Sequence, residues 1–166
     1  MAVQRGTGRF VSMLQTDFEL QAKRRVAFIH GERHSWDLGY RLILMAMQHL
    51  RPNFTYLPVI SRPGEEVVPW KGAIGHVQDV WTGGALERAW GRRLARDNTH
   101  VFLCGSPQMA EGMIELFARD GFVEGTRQWP GQIHVEKYWQ CAGNWKDVIP
   151  ERAAMDNRLR GLQRGR

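Results

Sequence analysis

The chain has 166 residues, enough for one domain with a substantial core but not for two of ordinary size. Hydrophobic residues make up 43% and charged residues 24%, the balance of a soluble globular protein, and no apolar run approaches the roughly 20 residues of a membrane span. The net charge of +6 points to an anionic partner, whether a nucleotide, a nucleic acid or an acidic protein.

The first strand is expected at Met1 to Gln4. Gly6-Thr7-Gly8 then precedes an apolar periodic segment that includes Phe10, Ser12 and Leu14. Such a glycine pair is either a flexible turn or a loop that lets a phosphate approach a helix N-terminus. Val26 to His30 reads as the next strand, and Ser35 is placed to cap a helix reaching about Leu50. Leu38, Leu42 and Met45 form one stripe of that helix, with Tyr40, Ile43, Leu44 and Met47 on its neighbour. So broad an apolar face suits packing on a sheet. Phe54 to Ile60, aromatic and β-branched, is the third strand. Glu65 to Gly84 is irregular and reads as a long functional loop or a loop with a short helix. Ala85 to Ala95 follows as a basic helix with Leu86, Ala89, Trp90 and Leu94 inward.

Val101 to Met109 organises the rest. Val101-Phe102-Leu103 is a short apolar run suited to a buried strand, and Gly105 breaks it. Ser106 is a good N-cap, and Pro107 fits the first helical position, where no N–H is needed. Met109, Met113, Leu116 and Phe117 share one helix face, and Gly121 supplies the stop. Cys104 therefore lies at the carboxyl end of a strand, where open α/β sheets bind ligands. Gln132 to Glu136 is the last strand. Strands alternating with helices predict a parallel sheet with right-handed crossovers.

The words of this unit carry a resemblance. Leu103-Cys104-Gly105-Ser106-Pro107-Gln108-Met109 resembles the L-C-G-N-P-x-M signature of the ferredoxin–NADP reductase family, in its nucleotide-binding domain. Glu136, Tyr138 and Trp139 are similar to the family's closing glutamate and aromatic residues. The early loop resembles the family's T-G-T-G-[IL]-[AG]-P-F-x-S pyrophosphate loop through Gly6, Thr7, Gly8, Phe10 and Ser12, with Arg9 where proline is usual. The resemblance spans about residues 1–139. It implies an NADP-binding domain with a five-stranded parallel sheet in the order 3-2-1-4-5 and helices on both faces. Residues 140–166 are then a basic C-terminal extension.

The resemblance also assigns roles. Arg33, in His30-Gly31-Glu32-Arg33, and Ser61-Arg62 match family positions associated with the adenosine phosphate. From the residues alone, each arginine follows a strand and offers a fork for a phosphate, or is an ordinary solvated charge. No acidic residue replaces Arg33 at its strand end, so NADP is expected over NAD. Gly105, Ser106, Pro107 and Met109 belong to the loop near the nicotinamide. Cys104 would lie beside that ring as a packing and positioning group, and a buried structural thiol is the plain alternative. Glu136 would orient the nicotinamide or relay protons. Tyr138 and Trp139 correspond to the aromatic pair of which one covers the flavin, although this chain continues past them. Where the family often has a G-R pair, Gly75 is followed by His76.

The family places a flavin-binding barrel with an R-x-Y-[ST] motif before this domain, and neither feature is found in these residues. FAD is therefore expected only from a partner domain or a separate FAD-binding subunit, with an acidic ferredoxin or flavodoxin as electron acceptor. The other expectation is a non-catalytic dinucleotide-binding or protein-interaction module derived from a truncated reductase. The tail, with Arg152, Arg158, Arg160, Arg164 and Arg166 against Glu151 and Asp156, lacks aromatic interleaving and any nucleic-acid module signature. A solvated amphipathic helix or a contact with an acidic partner is preferred there. His30 and His34 lack a ligand cluster around them and read as structural or surface residues rather than a metal site. Cys104 and Cys141 make neither a disulfide framework nor a CxxC site, and no basic-then-apolar leader opens the sequence, so a reducing, cytoplasmic location is expected.

Overall fold

The computed structural model describes residues 24–126 and 128–136. Val26–Glu32 forms β1 and Phe54–Ile60 forms β2, joined by a 3-10 turn at Ser35–Asp37 and helix α1, Arg41–Leu50. A second 3-10 turn, Pro63–Glu65, leads to the short strand β3, Ala73–Ile74. Helices α2, Val77–Thr82, and α3, Ala85–Trp90, then precede β4, Val101–Cys104. Helix α4, Pro107–Arg119, and β5, Ile133–Glu136, complete the described elements.

All strand pairings are parallel, with β1 pairing β2 from Val26↔Phe54 to Glu32↔Ile60 and β4 pairing β5 from Val101↔Ile133 to Cys104↔Glu136. The described strands form two sheets, β1-β2-β3 and β4-β5, instead of the single sheet expected. The reason is local. No described strand lies between β1 and β4, and the strand expected there, Met1 to Gln4, falls outside the described residues.

Side chains still join the two sheets on both faces. On one face Ile29 and Val59 pack with Leu103, Met113, Phe117 and Ile133, beneath α2 and α4. On the other, Cys104 packs with Phe28, Leu44, Phe54 and Tyr56, beneath α1. This alternation along β1 is the period-2 pattern of a strand buried on both sides. Removing such side chains from water is the main force holding the unit together.

Three local expectations are corrected. Ser35 does not cap a helix, because its N–H and hydroxyl both donate to Glu66, at 2.7 and 2.6 Å. Tyr40 adopts a left-handed backbone (φ 59°), so α1 begins only at Arg41. Its broad apolar face is also only partly used: Leu44 is buried, whereas Leu42 is 80% exposed. The basic helix stops at Trp90, since Gly91 turns left-handed, and Ala89 is exposed rather than inward. The irregular segment after β2 does hold a short helix, α2, which sends Val77 and Val80 into the core. No described helix is long and apolar enough to cross a membrane.

Candidate functional site

Parallel strands end together, so the loops leaving β1, β2 and β4 share one edge. A cleft of about 590 Å³ opens there. It is lined by Gly31 and Glu32 at the end of β1 and Arg33 just after it, Ser61 after β2, Gly75 to Asp79 at the start of α2, and Gly105, Ser106, Gln108 and Met109 after β4. The size suits a small molecule or cofactor, and the position is where open α/β sheets take ligands.

Each wall has a chain-level cause. At Gly31 a Cβ would lie 2.5 Å from Val77 Cγ1, so only glycine lets α2 pack this close to β1. Gly75 has φ 121°, a conformation open mainly to glycine, and its N–H donates to Ile60 O at 2.9 Å. Asp79 Oδ2 accepts from His76 N–H at 2.7 Å and fixes the first turn of α2. Ser106 caps α4: its Oγ accepts from Met109 N–H at 3.3 Å, with Pro107 as the first helical residue.

The loops after β1 and β2 are zipped together. Ser61 N–H donates to Glu32 O at 3.0 Å, and Arg62 N–H donates to Arg33 O at 2.9 Å. Arg33 and Arg62 are thus neighbours, although the Arg62 side chain turns to Glu65, with Nη1 3.3 Å from Oε1. His34 joins the group, with Nε2 2.8 Å from Glu65 Oε2 and Nδ1 3.1 Å from Asp37 Oδ2. The Glu65 hydrogen bond leads in raising the His34 pKa above its ordinary value, and the same bond lowers that of Glu65. The Trp36 ring stacks on the imidazole at 4.4 Å.

Of the sequence-predicted residues, Arg33, Ser61, Gly105, Ser106 and Met109 line one cleft. Cys104 is buried behind it, directly across the ladder from Glu136. Gly6, Thr7, Gly8, Ser12, Tyr138 and Trp139 lie outside the described residues. Two points go beyond the sequence reading. Val77, Gln78, Asp79 and Gln108 line the cleft without having been singled out, and Gly75 ahead of a short apolar period was the available signal. Glu32 also lines it, so an acid stands beside Arg33 at the end of β1. His30 is fully buried: Nδ1 lies 3.1 Å from the Tyr56 hydroxyl, and burial pushes its pKa down to about 4.

The family model for the oxidoreductase NAD-binding domain matches residues 3–115, which contain every described wall of the cleft. The chain belongs to this family. Flavodoxin/ferredoxin–NADP reductases of Shigella flexneri and Escherichia coli strain K12 are each 26% identical to it over 140 residues, covering 84% of this chain and 55% of theirs. A ferredoxin NADP+ reductase from Neisseria gonorrhoeae, with bound FAD and NADP, superposes with a TM-score of 0.68 at 20% identity, over 83% of this chain and 54% of that one. The CS-b5R domains of human Ncb5or, in an NAD+ form, give 0.62 at 19% identity, over 82% and 35%. The fold is therefore ferredoxin reductase-like, and the chain carries the NAD(P)-binding domain of ferredoxin–NADP reductase-like oxidoreductases. It spans about half the length of the reductases it matches.

Proposed function

We propose that this chain is the NADP(H)-binding part of a ferredoxin/flavodoxin–NADP reductase-like oxidoreductase, working with a flavin held by another domain or chain. The observation that carries this reading is the convergence of Arg33 and Ser61 with Gly105, Ser106 and Met109 on one cleft at the carboxyl ends of parallel strands. The residues fit a dinucleotide. Arginines at neighbouring strand ends suit the adenosine phosphate. The N-terminus of α4 and the bare backbone at Gly105 suit close approach of the other half. Nicotinamide, when bound, supplies the hydride chemistry. This chain's residues bind and aim it, with Cys104 and Glu136 as the positioning pair behind Gly105.

In this reading residues 1–139 form the domain and 140–166 a basic extension, and the start of the chain supplies the strand between β1 and β4, giving the order 3-2-1-4-5 when that first strand is counted as 1, β1 as 2, β2 as 3, and β4 and β5 keep their numbers. Gly6, Thr7, Gly8 and Ser12 then hold the pyrophosphate, Pro107 seats α4 at the nicotinamide end, and Tyr138 and Trp139 lie toward the flavin. The acceptor is an acidic ferredoxin or flavodoxin, which the chain's +6 charge suits.

A second cofactor preference rests on Glu32. A carboxylate at the end of the second strand of such a sheet can accept from an unphosphorylated ribose, which favours NAD. Titration calorimetry with NADP and NAD decides between them. Tighter NADP, with the margin lost in Arg62→Ala, supports the first reading; tighter NAD, with the margin lost in Glu32→Gln, supports the second. For the reaction, the test is NADPH oxidation with added FAD or a flavin-containing partner and a dye acceptor. Binding with no turnover under any such supply leaves the non-catalytic module.

A further inference from the structure

The turn after β2, Pro63–Glu65, sets a carboxylate between two cations beside the walls of the cleft. Glu65 reaches His34 Nε2 at 2.8 Å with one oxygen and Arg62 Nη1 at 3.3 Å with the other. His34 is cationic on geometric grounds. Both ring nitrogens face carboxylate oxygens, Asp37 on one side and Glu65 on the other, and a carboxylate only accepts. The Trp36 face stacked on the ring adds a further contact that a cation favours. Arg33, His34 and Arg62 thus bring three cations to the ends of β1 and β2, and Glu65 bridges two of them.

Glu65 is not what holds the turn in place. Its neighbour Glu66 does that, accepting from both the N–H and the hydroxyl of Ser35. The backbone bond from Arg62 to Arg33 adds a second tie. Glu65 and Arg62 are about half exposed, so their ion pair is of the weak, solvent-screened kind. A dianionic phosphate, with more charge and more acceptor oxygens, can replace it.

We propose that Glu65 is an internal competitor for the phosphate-binding cations, and that His34 is a phosphate ligand released when Glu65 is displaced. The pair would set how strongly a phosphorylated dinucleotide is preferred. This rests on the assignment of Arg62 to the adenosine phosphate.

Titration calorimetry on the 166-residue chain with NADP and with NAD tests it, with thermal melts to establish folding of each variant. Glu65→Gln should tighten NADP about twofold to fivefold and leave NAD unchanged. His34→Gln should weaken NADP by a similar factor, again sparing NAD. A Glu65→Gln variant whose NADP affinity is unchanged or reduced overturns the proposal. Arg62→Ala separates the two levels. If it leaves the ratio of NADP to NAD affinity at the wild-type value, the phosphate assignment fails and this inference with it. If it collapses the ratio while Glu65→Gln and His34→Gln do not move it, only the competition is wrong.

Discussion

The main chains of Arg33 and Arg62 are hydrogen-bonded to each other, Arg62 N–H to Arg33 O at 2.9 Å. Residues 29 positions apart in sequence are therefore main-chain neighbours, because β1 and β2 are in register to their last residues. Arg62→Ala should weaken NADP about tenfold, the scale of one charge-assisted contact, and leave NAD nearly untouched. The preference should shrink as salt rises. Equal loss for both dinucleotides in calorimetry would assign Arg62 to the shared pyrophosphate or to the fold.

Cys104 tests positioning against binding. It is buried among Phe28, Leu44, Phe54 and Tyr56 and is not a wall of the cleft. Cys104→Ala should cost about 1 kcal/mol of stability through a small cavity, measured by urea unfolding. NADP affinity should change less than twofold, while turnover with a flavin partner falls at unchanged KM. A tenfold loss of affinity would mean instead that the thiol reaches the bound nucleotide.

How much of this was legible depends on the range of the interaction. Phe54–Ile60 and the Ser106-Pro107 helix start were readable because their signals are local: strand composition in one case, a cap and its first turn in the other. Ser35 misled for the opposite reason. Its partner, Glu66, is 31 residues away, and capping reasoning sees only the next turn. Tyr40 in the left-handed region has no sequence signal, since that conformation is expected of glycine or asparagine. The cleft was half legible. Residues at strand ends were found, whereas Val77 to Asp79 were hidden in a segment whose helix is only six residues long. Glu65 lay inside the irregular segment, and nothing local ties it to His34.

His30 gives a pH dependence of defined sign. Its pKa is about 4 when folded, against 6.5 for the ordinary side chain, because burial disfavours the charged ring. As pH falls through 6.5 the unfolded chain takes up a proton that the folded one refuses. The His30 share of stability should thus be complete above pH 6.5 and decline until about pH 4, by roughly 3 kcal/mol in all. His34, whose pKa is raised, acts oppositely: its contribution is full below 6.5 and fades as pH rises past its folded value. The difference between wild type and His30→Gln in urea unfolding at several pH values isolates the His30 share. Parallel curves would show that the buried ring is not the group that titrates.

Gly31 links the packing of the fold to the shape of the cleft. A methyl group there would sit 2.5 Å from Val77 Cγ1, and Val77 is buried in the core beside β1. Val77 is β-branched and cannot swing aside cheaply, so relief requires the first turn of α2 to move. Gly31→Ala should cost about 1–3 kcal/mol, the usual range for overpacking. Because Gly31 and Val77 are both walls of the cleft, the same displacement should weaken dinucleotide binding, NADP and NAD alike. Gly39→Ala is the matched control: a Cβ there meets nothing within 4 Å, and its effect should stay within about 0.5 kcal/mol. Calorimetry and thermal melts on the two variants read both effects. If Gly31→Ala lost stability but bound both dinucleotides at wild-type affinity, the Gly31–Val77 contact would serve the fold alone and the ligand would lie elsewhere in the cleft.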